Sequence, residues 1–259
     1  MKKDTPKRLK FLALCSLAAA TLATGGYSIK AKADESSFSD SQKKEIGTII
    51  HDYLMENPQI IFDAAEQYRQ NQEEIMAKQF DDKFNQYKAD LTSGPYTPFV
   101  GPEDADIVVI EFFDFNCGYC KKAYPDMKKL IGEEKDVKFI FKEMPILSPS
   151  SRTTAEWALA ANKQGKYWEF HQKLIMYPGS KDAKSLEKLA ADVGLDVDQL
   201  KKDLKDPKIK EEIDQNLKIT RELGINGTPA FIIGKTLARG YMGYDSMKDT
   251  IDRLRDDKG

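Results

Sequence analysis

Sulfur and imidazole are scarce: 259 residues hold three cysteines and two histidines. Too few cysteines are present for a framework of structural disulfides. A structural zinc site asks for four Cys or His ligands, but His51 and His171 stand far apart and in no ligand spacing. No metal site is therefore expected. There is no internal repeat and no glycine-rich phosphate loop, and no cofactor is expected. An excess of positive charge is also missing, since 40 Lys and Arg face 42 Asp and Glu. That balance argues against nucleic acid as a partner.

The scarce cysteines are concentrated where they matter. Ile107 to Phe113 is apolar, β-branched and aromatic, as in a strand buried on both faces, and Cys117 to Leu130 carries apolar residues at helical spacing. Cys117 and Cys120 thus fall where a strand becomes a helix. Unpaired N–H groups and the dipole at a helix N-terminus favour a thiolate over a thiol. Cys120, one turn further in, is placed to close a ring with it, so the pair reads as a redox dithiol rather than half of a zinc site.

The amino terminus reads as an export signal. Lys2, Lys3, Lys7, Arg8 and Lys10 precede an uncharged run from Phe11 to Ile29, and Ala31-Lys32-Ala33 precedes Asp34. This is the pattern of a secretory signal peptide spanning residues 1–33, with an uncleaved anchor as the alternative. Cleavage takes away more basic than acidic residues, and it removes Cys15. Leu14 stands before Cys15 where a lipoprotein needs a small residue. A lone close pair in an oxidising compartment then suits exchange of disulfides with other proteins.

From Ser39 a capping box opens a helix with Ile46, Ile49, Ile50, Tyr53 and Leu54 on one face. Asn57-Pro58 is expected to end it and cap a second helix, whose apolar stripe runs from Ile60 through Phe80, Phe84, Tyr87 and Leu91. This arm, residues 34–91, is expected to oligomerise through residues 41–91, because a long stripe cannot hide alone. The alternative is folding back on its own domain. Thr92 to Pro98, rich in Gly, Pro and Thr, marks the boundary of a second domain, 92–259. Val137 to Lys142 is a strand parallel to the first. Residues from about 150 to 223 read as helices, with His171 packed among aromatic residues rather than catalytic. Gly227-Thr228-Pro229 leads into an apolar strand, Lys235 to Arg239 is its hairpin partner, and Asp245 is expected to cap a last helix.

Taken together, Glu111-Phe-Phe-Asp-Phe-Asn-Cys117-Gly-Tyr-Cys120-Lys, Lys142-Glu-Met-Pro-Ile-Leu147, Gln164-Gly-Lys-Tyr-Trp-Glu-Phe-His171 and Gly227-Thr-Pro229 resemble the DsbA family of thiol-disulfide oxidoreductases. The segment from Ile49 to Ile61 narrows this to the suppressor-of-copper-sensitivity C (ScsC) type and related surface antigens of intracellular bacteria. The resemblance implies an α/β, thioredoxin-like fold with a helical insertion, preceded by an amino-terminal helical arm. It further implies that Pro229 is cis and faces the dithiol, that Cys117 attacks and Cys120 resolves, and that Glu111 is a buried acid serving Cys120, an exposed strand-end glutamate being the alternative. Thr228 is then the residue whose backbone holds an extended substrate, Gly118 and Tyr119 tune the dithiol, and Tyr119 and Met144 add apolar contacts. Oxidases of the family carry Pro-His between their cysteines; without that histidine a milder oxidant is expected.

The leading expectation is a periplasmic disulfide isomerase acting on cysteine-containing exported proteins with a membrane redox partner, association with the outer membrane or the cell surface being a variant of that location. The alternatives are a DsbA-like oxidase recharged by a quinone-linked membrane protein, a Cu(I)-binding protein using the two thiolates, and a scaffold built on the arm.

Overall fold

A computed structural model describes residues 38–94 and 96–257; the export signal read over residues 1–33 lies outside them. Two compact units divide between Ala65 and Glu66. In the first, helix α1 (Asp40–Glu56) opens with the expected capping box, Gln42 N donating to Ser39 Oγ while Ser39 N donates to Gln42 Oε1. None of its residues is buried, and Ile49, Ile50 and Tyr53 are all more than half exposed. Asn57 differs from expectation. Its side-chain amide donates back to Tyr53 O at 2.9 Å, so it closes α1 instead of capping α2, which spans Gln59–Thr92.

In the second unit, a five-stranded sheet has the order β1-β3-β2-β4-β5, from strands Phe99–Val100, Ile107–Phe113 (β2), Val137–Glu143 (β3), Ala230–Ile233 (β4) and Thr236–Arg239. β2 and β3 run parallel, joined through helix α3 (Gly118–Glu133), while β4 lies antiparallel on the other side of β2. Because successive strand residues face opposite ways, β2 divides its side chains between two buried layers. Val109 and Phe113, with Phe139 and Phe141 of β3, join the larger core of α3 and the inserted helices. Ile110 and Phe112, with Ile140 and Ile232, face a smaller one.

That second face is where the domain boundary read at Thr92 meets a difference. Phe84, Tyr87 and Leu91 of α2 recur at helical spacing and are buried against Ile110, Phe112 and Ile140. An apolar sheet face needs a cover, and the end of α2 supplies it together with Ile219 and Leu223. Lys142 fastens the same region: its buried ammonium donates to Asp90 O, Thr97 Oγ1 and Glu212 Oε1 at 2.8, 2.8 and 2.9 Å.

The insertion comprises α4 (Pro149–Asn162), α5 (Tyr167–Met176), α6 (Ala183–Asp192), α7 (Val197–Asp203) and α8 (Pro207–Glu222). Asp196 caps α7 by accepting from Gln199 N, yet its own N–H goes to Gln164 Oε1, so the box is only half formed. The final helix, α9 (Tyr244–Asp256), starts after Gly243 at φ 76°, and Asp245 lies in its first turn rather than at its cap. The N–H of Tyr244 instead donates to Asp126 Oδ2 on α3. Among the described residues no helix is long and apolar enough to cross a membrane.

Candidate active site

Between the end of β2 and the start of α3, the chain turns on a buried carboxylate. Asp114 Oδ1 accepts from Asn116 N and Ser151 Oγ, both at 2.8 Å, and Oδ2 accepts from the N–H groups of Ile146 and Leu147 at 2.9 and 3.0 Å. An aspartate that bonds the backbone two residues on makes an Asx-turn. This one also ties the turn to the start of α4. Asn116 extends the tie, its amide donating to Ser148 Oγ at 2.9 Å and its carbonyl accepting from Lys181 Nζ at 3.2 Å. Sequence reasoning passed over both residues, although Asp-Phe-Asn between a strand and a helix is an Asx-turn signal.

The turn places Cys117 at the N-cap of α3, with φ −73° and ψ 122°. Its sulfur makes no capping bond. Instead Cys117 Sγ donates to Thr228 O at 3.2 Å, because the cis Thr228–Pro229 bond immediately precedes β4, the antiparallel neighbour of β2. Both cysteines are free thiols and both are buried, at 5 % exposed for Cys117 and 1 % for Cys120, so the difference between them is of position more than of area. Gly118 and Tyr119 are exposed between them, Tyr119 at 65 %. Met144 is not available as the apolar contact expected of it, since it is buried among Phe112, Ile140 and Leu223. Ile146 and Leu147, held by Asp114, are the exposed apolar side chains of that segment.

Beneath the dithiol lies Glu111, in the middle of β2 and 4 % exposed. The alternative of an exposed strand-end glutamate does not survive that burial. Desolvation pushes its carboxyl up to about 8. The Cys120 thiol is pushed far up, first by burial and then by the nearby Glu111. Once ionised, a carboxyl of raised proton affinity close to a reluctant thiol can take the thiol's proton. His171, expected as a packed residue, is 3 % exposed within an aromatic box that includes Phe113, Phe141 and Trp168, and burial drives it down to about 3. Among the described residues no cluster of three or more His, Cys, Asp or Glu could hold a metal ion.

A raised carboxyl carries a stability consequence. Below the ordinary value of 4.5 both folded and unfolded chains hold the Glu111 proton, so stability is full; above it the unfolded chain releases the proton and the folded chain does not. Stability attributable to this group is therefore lost between about pH 4.5 and 8. Glu111→Gln removes that loss. Thermal melts at pH 8 are expected to show the variant more stable than the wild type by a few kcal/mol, since each tenfold change in proton affinity is worth about 1.4 kcal/mol, with the gap closing at pH 4. An equal gap at both values would contradict it.

Residues 108–255 match the family described as the DSBA-like thioredoxin domain. The chain belongs to this family. Residues 42–74 separately match the copper resistance protein ScsC N-terminal domain. Among solved structures, the thiol-disulfide exchange protein alpha-DsbA2 from Wolbachia pipientis is 30 % identical with a TM-score of 0.65, covering 69 % of this chain and 97 % of its own. A linker-deletion mutant of Proteus mirabilis ScsC, which also carries a point substitution, is 27 % identical, again with a TM-score of 0.65, and spans 85 % of this chain and 98 % of its own. The fold is the expected one: α/β and thioredoxin-like, with inserted helices and an amino-terminal helical region. A curated relative, Na(+)/H(+) antiporter NhaA 3 of Salinispora tropica, is 30 % identical over 153 residues, 58 % of this chain and 24 % of that protein. The chain thus spans about a quarter of the length of the curated relatives that match it first.

Proposed function

We propose that the chain is an exported protein thiol-disulfide oxidoreductase that works as a disulfide isomerase through Cys117 and Cys120. The observation that carries this reading is the Cys117 thiol at a helix N-cap, 3.2 Å from the Thr228 carbonyl, with Cys120 and the buried Glu111 behind it. Cys117, as thiolate, attacks a sulfur of a substrate disulfide; one S–S bond forms, one breaks, and the displaced substrate sulfur leaves with the electron pair. In isomerisation a second substrate thiolate displaces Cys117. In resolution Cys120 gives its proton to ionised Glu111 and attacks Cys117, releasing the substrate sulfur as a thiolate. An extended substrate segment pairs with the backbone at Thr228, as an added strand would, next to Pro229, while Gly118 and Tyr119 form the exposed surface beside it.

Cysteine-containing exported proteins in the periplasm are the substrates this chemistry fits, and a membrane redox partner would reset the dithiol. The ScsC-type match over residues 42–74 and the exposed Ile49, Ile50, Tyr53, Ile61 and Phe62 support self-association through the amino-terminal helices. Held together, two or more dithiols grip one misfolded substrate at raised effective concentration. The test is recovery of a scrambled-disulfide substrate by wild type and by Ile49→Asp/Ile61→Asp, with mass from light scattering. The wild type is expected as an oligomer that restores activity; the variant is expected as a monomer with at least severalfold lower recovery but unchanged exchange with glutathione. A wild type that oxidises reduced substrate yet leaves scrambled substrate untouched would put the oxidase reading ahead.

A further inference from the structure

Two stretches that carry the family likeness, around Glu143 and around Tyr167, have no part in the exchange chemistry above. They meet where the Tyr167 hydroxyl donates to Glu143. In the β2–β3 register Glu111 stands opposite Phe141 and Phe113 opposite Glu143. Glu111 and Glu143 therefore emerge on the same face of neighbouring strands, two positions apart, within reach of each other's fields. Glu143 is 1 % exposed; Oε1 accepts from the hydroxyl of buried Tyr167 at 2.6 Å, and Oε2 is buried with no partner among the described residues. A carboxyl left half satisfied in a core asks for an explanation.

Resting on the proposed thiol exchange, we infer that Glu143, held by Tyr167, is a positioning residue for the proton affinity of Glu111 in the resolving step. Both carboxyls are raised to about 8, Glu111 by burial and Glu143 by burial against the lowering pull of the Tyr167 bond. Tyr167 feels both charges, its hydroxyl being raised by burial, then by Glu143 and by Glu111. The other titratable groups around them are Cys120 from α3, a neutral His171 from α5, Lys142 from β3 and Glu212 from α8, and the last two act on Glu143 in opposite directions. Two like carboxyls in one dry layer release their protons in separate steps that belong to the pair. Once Glu143 is charged, Glu111 holds its proton more firmly and becomes a stronger base toward the Cys120 thiol.

The experiment measures release of glutathione from a Cys117 mixed disulfide between pH 5 and 10, in wild type, Glu143→Gln and Tyr167→Phe. The wild type is expected to rise over a broad range, in two steps. Glu143→Gln keeps an acceptor for Tyr167 but removes the second charge, so its profile is expected to narrow to one step with its midpoint about one pH unit lower, a tenfold change in ionised base below the midpoint. Tyr167→Phe keeps the ring and takes away the bond favouring ionised Glu143, so its upper step is expected to move to higher pH. Profiles of unchanged shape in both variants, whether at full rate or uniformly slowed, overturn the inference while leaving the exchange chemistry intact. A wild type that releases no glutathione overturns both.

Discussion

Cys120→Ser is expected to accumulate mixed disulfides with substrate, whereas Cys117→Ser is expected to lose thiol exchange altogether. Only Cys117 stands at the helix N-cap beside exposed Gly118 and Tyr119, in contact with the Thr228 carbonyl. Cys120 lies one turn deeper, where burial and Glu111 hold its proton in place. A thiol kept protonated is a poor first nucleophile. In the proposed exchange it becomes effective only when a mixed disulfide brings an electrophilic sulfur beside it and Glu111 takes the proton. Without Cys117 no first attack occurs, and loss of at least a thousandfold in rate is expected. Without Cys120 the attack proceeds and the adduct persists until an outside thiol removes it. Alkylation of the reduced chain at pH 7, mapped by mass spectrometry, checks the order: Cys120 modified faster than Cys117 would reverse the roles.

The second large effect concerns where the chain can be cut. A chain starting at Glu66 is expected to melt as the full chain does, because α1 buries nothing and the side chains of Ile60, Ile61 and Phe62 are exposed. A chain starting at Thr92 is expected not to fold. It lacks Phe84, Tyr87 and Leu91, whose burial against the sheet is worth about 1.5–3 kcal/mol each, a sum comparable with the whole stability of a typical domain, about 5–15 kcal/mol. The Lys142 ammonium would also lose the Asp90 carbonyl it donates to. Circular dichroism of the two truncated chains decides: a cooperative melt from Thr92 onward would show that the α2 segment is dispensable.

That cut site marks where the sequence was legible and where it was not. The stripe from Phe80 to Leu91 is plain in the amino-acid order, but periodicity gives the apolar face and not its partner; the partner is Ile110, Phe112 and Ile140, distant in sequence. β2 and the dithiol could be read because a buried run and a helical pattern adjoin at Cys117, and the fold class followed from the four stretches around it. Asp114 was missed for the converse reason. Its importance lies in accepting bonds from Ile146, Leu147 and Ser151, more than thirty residues downstream. Met144 was given its contact role on the family likeness, but alternation along β3 and its continuation turned it to the layer under α2.

If a substrate peptide pairs with the backbone at Thr228 as proposed, the contact between Cys117 and the Thr228 carbonyl makes peptide binding and the state of that sulfur linked equilibria. While Cys117 carries its hydrogen, the carbonyl has a donor inside the protein; once the sulfur is a thiolate or part of a disulfide, that donor is gone and a peptide N–H can take its place. A peptide docked at Thr228 therefore favours the forms of the dithiol in which Cys117 has no hydrogen, and by reciprocity those forms hold peptide more tightly by the same factor. On that reading the protonated thiol loosens what the thiolate and the disulfide hold, so grip and let-go follow a single hydrogen atom.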